Sequence, residues 1–377
     1  MLRIASRAFL LAAFGFFLWT APSVRAQQHA HTGAPRPPAA SAALPGALLA
    51  DLLSAKPEVQ NAALDKLDHL DKLSTQRLVP RLIKELDSPD FDRYFGAILA
   101  LGKIGPPALA ALLKVMQGQG DARRRYAAMA IGRMGTSAAS AVPVFVTCLS
   151  DSDTNLRLIV ADELPKLGPS AKAGVPTLIA LTRDENVFLR LAAVKALGRI
   201  GPGAESAIPF LVDALKEGTY GADFALGAIG APAVPAVLAV FKSAPDKELR
   251  ERAMSALGEM GPQGAPAVPD LVAALKSNDS RGSAIGALGG IGPGAKDAVP
   301  PLIAILQGSA EYSNAPPPGY EYTIDAKSKT NFVEKILGTF DQTAARMALQ
   351  RIATPEALAA VKEYDDKQEK EKQDKGK

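Results

Sequence analysis

The chain has 377 residues, 47% of them hydrophobic and 22% charged, which is the composition of a globular protein that buries a core. Aromatic residues make up only 6%, whereas 32 glycines and 29 prolines are present, which favours close-packed helices with frequent breaks over a β-sandwich. The formal charge of +4 at pH 7 includes Arg3, Arg7 and Arg25 near the N-terminus. Without these arginines the chain holds 40 basic and 39 acidic residues, a balance that excludes binding of nucleic acid through phosphate charge.

The first 26 residues have the pattern of a secretory signal. Arg3 and Arg7 precede an unbroken apolar stretch over residues 8–19, and a small-residue pattern ends at Ala26. The apolar stretch is shorter than the roughly 20 residues that a membrane span needs. We therefore expect cleavage after Ala26 and a secreted or periplasmic protein that is not an integral membrane protein once cleaved. The alternative is that residues 1–26 are retained as an anchor.

Cleavage after Ala26 would expose the N-terminal sequence Gln27-Gln28-His29, followed by a linker over residues 27–47 that we expect to be flexible. A free amine, two backbone amides and the imidazole of His29 can hold Cu(II) or Ni(II) in a square plane, so Gln27, Gln28 and His29 form a candidate metal site. The alternatives are that Gln27 cyclises, which removes the amine, or that the segment is only a spacer. Elsewhere the sequence implies no cofactor.

Two short motifs recur in phase about every 31 residues, which indicates a repeat array. The first resembles Ala-Val-Pro, with its proline at Pro143, Pro176, Pro209, Pro235, Pro269 and Pro300. The second is an apolar residue followed by a glycine, and its glycines are Gly105, Gly135, Gly168, Gly201, Gly230, Gly261 and Gly292.

One copy shows why each unit should be a short helix, a turn and a longer helix. Pro176 suits the first turn of a helix, because its missing N–H has no partner there and its φ is already helical. Asp184 and Asn186 stand at the turn and can cap the second helix. Gly201 ends that helix, since a positive φ is least costly for glycine, and Pro202 prevents continuation. A single pair of helices cannot bury its apolar face, so neighbouring pairs must stack.

The unit Val-Pro-x-Leu, an acidic turn, an arginine and Ala-Leu-Gly-x-Ile-Gly-Pro resembles the HEAT repeat, in the short bacterial form shared with phycobilisome-lyase-type HEAT-like proteins. The resemblance implies an all-α fold, a right-handed superhelical solenoid of about eight helix-turn-helix repeats over residues 48–307. It also implies a ladder in which turn acids and helix arginines pair between neighbouring repeats. The matching residues are Asp151, Asp184, Arg124, Arg157, Arg190, Arg250 and Arg281. Tyr94 and Thr219 stand where two repeats lack the arginine, and Ala244 replaces the acid before Arg250.

Two segments depart from the repeat. The copy that ends at Gly230 is short, so we expect a kink or a truncated second helix there. Residues 308–340 form a Pro/Tyr-rich insertion with a short helix, and its tyrosines Tyr312, Tyr320 and Tyr322 either bind a partner or cover the open end of the array. Capping helices over 341–361 and a charged, disordered tail over 362–377 should follow.

The sequence offers few groups for catalysis. Only three histidines are present, and the His-Glu pairs of the di-iron HEAT-repeat hydroxylase are absent because Leu70 follows His69. Cys148 is the single cysteine and falls on an apolar helix face, which predicts a core thiol. We therefore interpret the chain as a noncatalytic scaffold for protein–protein interaction, exported to the bacterial envelope, with a partner of unknown identity and no nucleic-acid ligand. Alternatives are a lyase-like or enzyme-accessory HEAT protein and an architectural envelope protein.

Overall fold

The computed structural model describes residues 45–118, 122–312 and 330–375, and every regular element within these ranges is helical. Buried apolar side chains form one continuous core that runs from Leu48 to Val361. The prediction of an all-α solenoid is therefore confirmed for the part of the chain that is described.

Eight pairs of helices, each a first and a second helix, make up the array. They are α3 (Lys72–Glu85) with α4 (Phe91–Ile104), α5 (Pro106–Met116) with α6 (Ala122–Arg133), α7 (Val142–Cys148) with α8 (Thr154–Glu163), α9 (Val175–Leu181) with α10 (Val187–Ile200), α11 (Ile208–Lys216) with α12 (Ala222–Ile229), α13 (Val234–Ser243) with α14 (Lys247–Glu259), α15 (Val268–Ala274) with α16 (Arg281–Ile291), and α17 (Val299–Leu306) with α18 (Thr330–Ile352). Two helices, α1 (Pro45–Leu52) and α2 (Pro57–Lys66), precede the pairs, and α19 (Pro355–Lys375) follows them. Short 3₁₀ segments connect most second helices to the next first helix.

The α9–α10 pair shows how the sequence sets these boundaries. Pro176 lies in the first turn of α9, and the side chain of Asn186 accepts hydrogen bonds from the backbone N–H groups of Phe188 and Leu189 at the start of α10. Gly201 ends α10 with a φ of 66°. The glycine at this position in each repeat, here called the terminal glycine, has a positive φ from Gly105 to Gly292, and Ala353 takes its place after α18 with a φ of 58°.

Successive second helices pack side by side from α4 to α18. A glycine three residues before the terminal glycine allows this close approach in six of the eight pairs. A Cβ placed on Gly198 would lie 2.9 Å from the Cα of Ala225, and one on Gly258 would lie 3.0 Å from the Cα of Ala287. Any side chain there would separate neighbouring repeats, so this glycine sets the distance between them.

The short repeat differs as the sequence suggests. Its second helix, α12, has 8 residues, against 14 in α10. The turn before α12 contains Gly218 and Gly221, with φ values of 74° and 85°, in place of an aspartate or asparagine cap.

Two domain boundaries differ from the sequence prediction. The predicted linker over 27–47 ends earlier, because α1 begins at Pro45 and Leu48 is buried. No break separates residues 340 and 341, since α18 is one helix of 23 residues that crosses the predicted end of the insertion. Asp341 pairs with Arg281 of α16, which fixes this part of α18 to the array. Residues 1–44 and 313–329, which contain the predicted signal and most of the insertion, lie outside the described residues.

The predicted disordered tail is replaced by helix as far as Lys375. Thr354 caps α19, because its Oγ1 accepts a hydrogen bond from the N–H of Ala357 at 3.2 Å. Arg346 of α18 holds Asp365 through two hydrogen bonds of 2.7 and 2.6 Å. This bidentate pair and the alternation of lysines with acids about one turn apart stabilise a helix that hydrophobicity alone does not indicate.

Candidate functional site

The exposed side of the second helices, here called the second-helix face, is the candidate functional surface. In each repeat the side chains ten, six and two residues before the terminal glycine lie on it or beside it. In the α10 repeat these are Leu191, Lys195 and Arg199. The face therefore presents one short row of side chains per repeat, and its chemistry changes along the array.

Three aromatic side chains stand out on this face. Phe188 of α10 is 57% exposed, Phe224 of α12 is 52% exposed, and Tyr220, in the turn before α12, is 67% exposed. We call Phe188, Tyr220 and Phe224 the aromatic patch. Because Gly198 of α10 packs against Ala225 of α12, and a helix rises about 1.5 Å per residue, Tyr220 lies between the two phenylalanines along the helix axis. For this repeat the sequence predicted only a kink or a truncated second helix.

The ladder arginines lie at one edge of the array, and Arg124, Arg157 and Arg281 reach from one repeat to the next. Arg124 of α6 is buried, donates from Nε to the carbonyl oxygen of Met116 at 3.0 Å, and pairs with Asp151 at 2.6 Å. Arg157 pairs with Asp184 at 3.1 Å. Each of these aspartates belongs to the repeat after its arginine, and each also accepts a hydrogen bond from a backbone N–H within its own turn. The hydrogen bond from Arg124 holds the pKa of Asp151 below its ordinary value, against the opposing effect of burial.

The cross-repeat ladder stops at the short repeat. Arg190 donates to the carbonyl oxygens of Asp184 and Glu185, and Arg250 donates to that of Ala244, so both hold the turn of their own repeat. Thr219 provides no guanidinium, and Arg252 of the next repeat instead reaches back to the carbonyl oxygen of Leu215 at 3.0 Å. The ladder resumes at α16, where buried Arg281 contacts the carbonyl of Leu275 and pairs with Asp341 at 3.2 Å.

Tyr94 fills the ladder position in the first arginine-free repeat. Its ring stacks on that of Tyr126 in the next repeat, with the ring centroids 4.4 Å apart. Burial, with the neighbouring Tyr126 hydroxyl, raises the pKa of Tyr94 to about 12. The aromatic stack therefore links these two repeats, as the Arg–Asp pairs link later repeats in the array.

One of the three predicted recognition tyrosines can be placed. Tyr312 is half-buried against the core, and the guanidinium carbon of Arg281 lies 6.0 Å from the centroid of its ring. This position fits the covering role for Tyr312 better than the recognition role. Tyr320 and Tyr322 lie outside the described residues, as do Gln27, Gln28 and His29.

An ionic cluster surrounds α8 on the second-helix face. Asp162 forms ion pairs with Lys195 of α10 at 2.8 Å and with Arg199 at 3.3 Å. Burial alone would raise the pKa of the Asp162 carboxyl, but these cations lower it below its ordinary value. Glu163 is buried, and burial raises its pKa in spite of Lys166 at 2.7 Å.

A shallow groove of about 290 Å³ crosses α14, α16 and α18, lined by Glu251, Ser255, Glu259, Ser283 and Arg351 among others. In the described ranges, no group of three or more His, Cys, Asp or Glu side chains is placed to hold a metal ion. None of the described helices is by itself long and apolar enough to cross a membrane. By length and composition alone, the pair Ala222–Ile229 and Ala231–Ser243 could do so together, and it is bent by 116°.

Comparison with known families agrees with this geometry. The profile for HEAT repeats matches residues 46–132, 142–229 and 234–313, more than half of the chain. The chain belongs to the HEAT-repeat family. Among curated proteins, none matches the sequence.

Several solved structures resemble this HEAT array. An engineered protein is 22% identical with a TM-score of 0.39, over 85% of this chain and 91% of its own. The complex of CpcE and CpcF of phycocyanin lyase from Nostoc is 26% identical with a TM-score of 0.34, over 56% of this chain and 86% of that one. The karyopherin Kap121p, bound to the extreme C-terminus of the protein phosphatase Cdc14p, is 15% identical with a TM-score of 0.48. That match covers 84% of this chain and 42% of the karyopherin.

Proposed function

We propose that this HEAT array is a noncatalytic scaffold that binds a protein partner on its second-helix face and is exported to the bacterial envelope. The observation that carries the proposal is the aromatic patch, in which three large rings on two adjacent repeats are more than half exposed. Leaving such rings in water is unfavourable, and aromatic side chains dominate the binding energy of protein interfaces.

The surroundings of the patch support a protein ligand. Ionic side chains, Lys195 and Arg199, lie beside it on α10, so an apolar centre has a charged rim, as protein interfaces commonly have. The family match supports the same reading, because HEAT solenoids commonly bind proteins over several repeats. Export is proposed from the signal pattern over residues 1–26.

Crosslinking in cells tests the binding proposal. A photo-crosslinking residue placed at Leu191, on the second-helix face of α10, should trap a partner in the parent chain. The triple variant Phe188→Ser, Tyr220→Ser, Phe224→Ser should lose most of that adduct while keeping its helical circular dichroism. The matched control is Leu73→Ser with Leu358→Ser, which removes two exposed apolar side chains from α3 and α19. An adduct that persists in the triple variant, or that the control removes equally, would contradict the proposal.

Export is tested separately. Fractionation of the cells that make the protein, followed by mass spectrometry of its N-terminus, should find a mature chain that begins at Gln27 outside the cytoplasm. A chain in the cytoplasm that keeps residues 1–26 would refute export and leave the binding proposal unaffected.

A further inference from the structure

A row of basic side chains crosses the N-terminal half of the second-helix face. In four consecutive repeats the residue two before the terminal glycine is basic, namely Lys103, Arg133, Lys166 and Arg199. In the next three repeats the same position holds Ala228, Glu259 and Gly290. We call the four basic residues together with Lys195 the cationic row. The change of side chain at one repeat position shows that packing between repeats does not require a cation there.

Carboxylates within the protein neutralise this row only in part. Lys103 pairs with Asp68 at 2.8 Å. Lys166, Lys195 and Arg199 share two carboxylates, those of Asp162 and Glu163.

Arg133 is exposed and has no ion pair among the described residues, although its Cβ packs against Gly102 of the preceding repeat. Around α6, α8 and α10, three of the four cations of the row therefore share ion pairs with two carboxylates, those of Asp162 and Glu163, among the described residues.

The spacing of the row limits what can bind it. Neighbouring helices pack about 10 Å apart, so the row presents cations at steps of about 10 Å across the face. An extended peptide in the polyproline II conformation rises about 3.1 Å per residue and has three residues per turn, so a carboxylate at every third residue recurs on one side at about this step. The row also ends on α10, which carries Phe188 of the aromatic patch. A protein segment can supply acidic residues for the row and apolar residues for the patch, whereas a ligand that is only an anion uses the row alone.

We propose that the cationic row selects the partner by binding an extended acidic segment of that protein, with carboxylates about three residues apart. This inference rests on the proposed function, because it names the chemistry of the partner that the second-helix face binds. The cationic row would fix the position of the bound segment and raise its association rate. The aromatic patch would supply most of the binding free energy.

The probe is a pair of labelled 12-residue peptides, each with four glutamates among glycine and serine. In one the glutamates stand at every third residue, and in the other they are contiguous. Fluorescence anisotropy with the full chain should show that the periodic peptide binds at least about threefold more tightly, and that added salt weakens this binding.

The test variant is Arg133→Glu with Lys195→Glu, and the matched control is Lys114→Glu with Lys172→Glu. The control makes the same change in net charge at exposed residues of α5 and of the 3₁₀ segment Pro169–Gly174. The test variant should bind the periodic peptide about tenfold more weakly than the parent does, and the control variant less than about twofold more weakly. Circular dichroism establishes that both variants are folded.

Three results would overturn the inference. These are equal binding of the two peptides, equal weakening by the test and control variants, and row-dependent binding to vesicles of phosphatidylglycerol and phosphatidylcholine without binding of either peptide. The crosslinking experiment at Leu191 remains independent of these outcomes. An adduct that depends on the aromatic patch, combined with failure of the peptides, would refute the cationic row and keep the proposed function.

Discussion

The array divides at the short repeat, where the cross-repeat pairing of ladder arginines with aspartates is interrupted, into two regions. On the N-terminal side, Arg124 and Arg157 each bridge to an aspartate of the following repeat. On the C-terminal side, Arg250 donates to a carbonyl of its own repeat, a cross-repeat pair returns between Arg281 and Asp341, and close glycine contacts connect α14 to α16 and α16 to α18. The same family pattern thus supports two kinds of contact between repeats, one ionic and one by close approach of backbones. The aromatic patch lies where the two regions meet.

The largest effect expected is the loss of the ladder arginine. Arg124→Ala should lower the free energy of unfolding by about 3 kcal/mol, because it leaves Asp151 and the carbonyl of Met116 without their partner in a site that is nearly closed to water. Arg250→Ala should cost less than about 1 kcal/mol, since it removes one carbonyl contact. Urea unfolding followed by circular dichroism measures both. Equal losses would show that the two regions do not differ in this respect.

Close approach of backbones can be tested within one helix of the C-terminal region. Gly289→Ala should cost about 2 kcal/mol, because its Cβ would lie 3.1 Å from the Cα of Ala348. Gly286→Ala, one turn earlier in α16, meets nothing within 4 Å and should gain about 0.5–1 kcal/mol through helix propensity. If urea unfolding showed that both variants change the free energy of unfolding in the same direction, the role assigned to the glycine contacts would be contradicted.

A substitution near the end of the C-terminal region should stabilise the protein. Ala353 has a positive φ at the position where other repeats have glycine, so Ala353→Gly should raise the free energy of unfolding by about 1 kcal/mol. Ala359→Gly, at an exposed position inside α19, should lower it by a similar amount. Thermal unfolding of both variants gives the comparison, and a loss of stability in Ala353→Gly would mean that φ causes no strain there.

The smallest effect is a change in pH dependence that belongs to the N-terminal region. The hydrogen bond from Arg124 lowers the pKa of Asp151 in the folded state, so the unfolded chain takes up a proton there first as the pH falls. The stability from this pair is present above the unfolded pKa and is lost as the pH falls through the folded pKa. The difference in unfolding free energy between the parent and Asp151→Asn should therefore shrink from about pH 6 to pH 3. The matched control is Asp297→Asn, which removes one carboxylate at an exposed position.

The positions at which the repeat helices begin and end could be predicted from the sequence, because the signals that set them are local. Pro176, Asn186 and Gly201 act on their own backbone, so their spacing already defines where helices begin and end. The reach of Arg124 to Asp151 in the next repeat was expected only from the family resemblance, since the approach of two repeats depends on packing that no local pattern fixes.

The candidate site was harder to predict than the fold. Exposure of Phe188 and Phe224 depends on the short second helix and its neighbours, whereas a phenylalanine in a repeat helix ordinarily predicts core. Tyr220 shows the same limit, because its ring lies exposed in the turn between Gly218 and Gly221, whose path is defined only in the folded chain. The helical tail was missed for a similar reason, since the pair between Arg346 and Asp365 joins two helices.

The single thiol offers a measure of how the array opens. Cys148 is buried beside Arg124 of the preceding repeat, and burial raises the pKa of its thiol although the guanidinium opposes this. A thiol reagent can modify it only when the structure around the thiol opens, so the rate of modification reports local opening without global unfolding. The labelling kinetics would therefore show whether this part of the solenoid opens without unfolding of the remaining repeats. A melting curve of the whole protein cannot resolve such local opening.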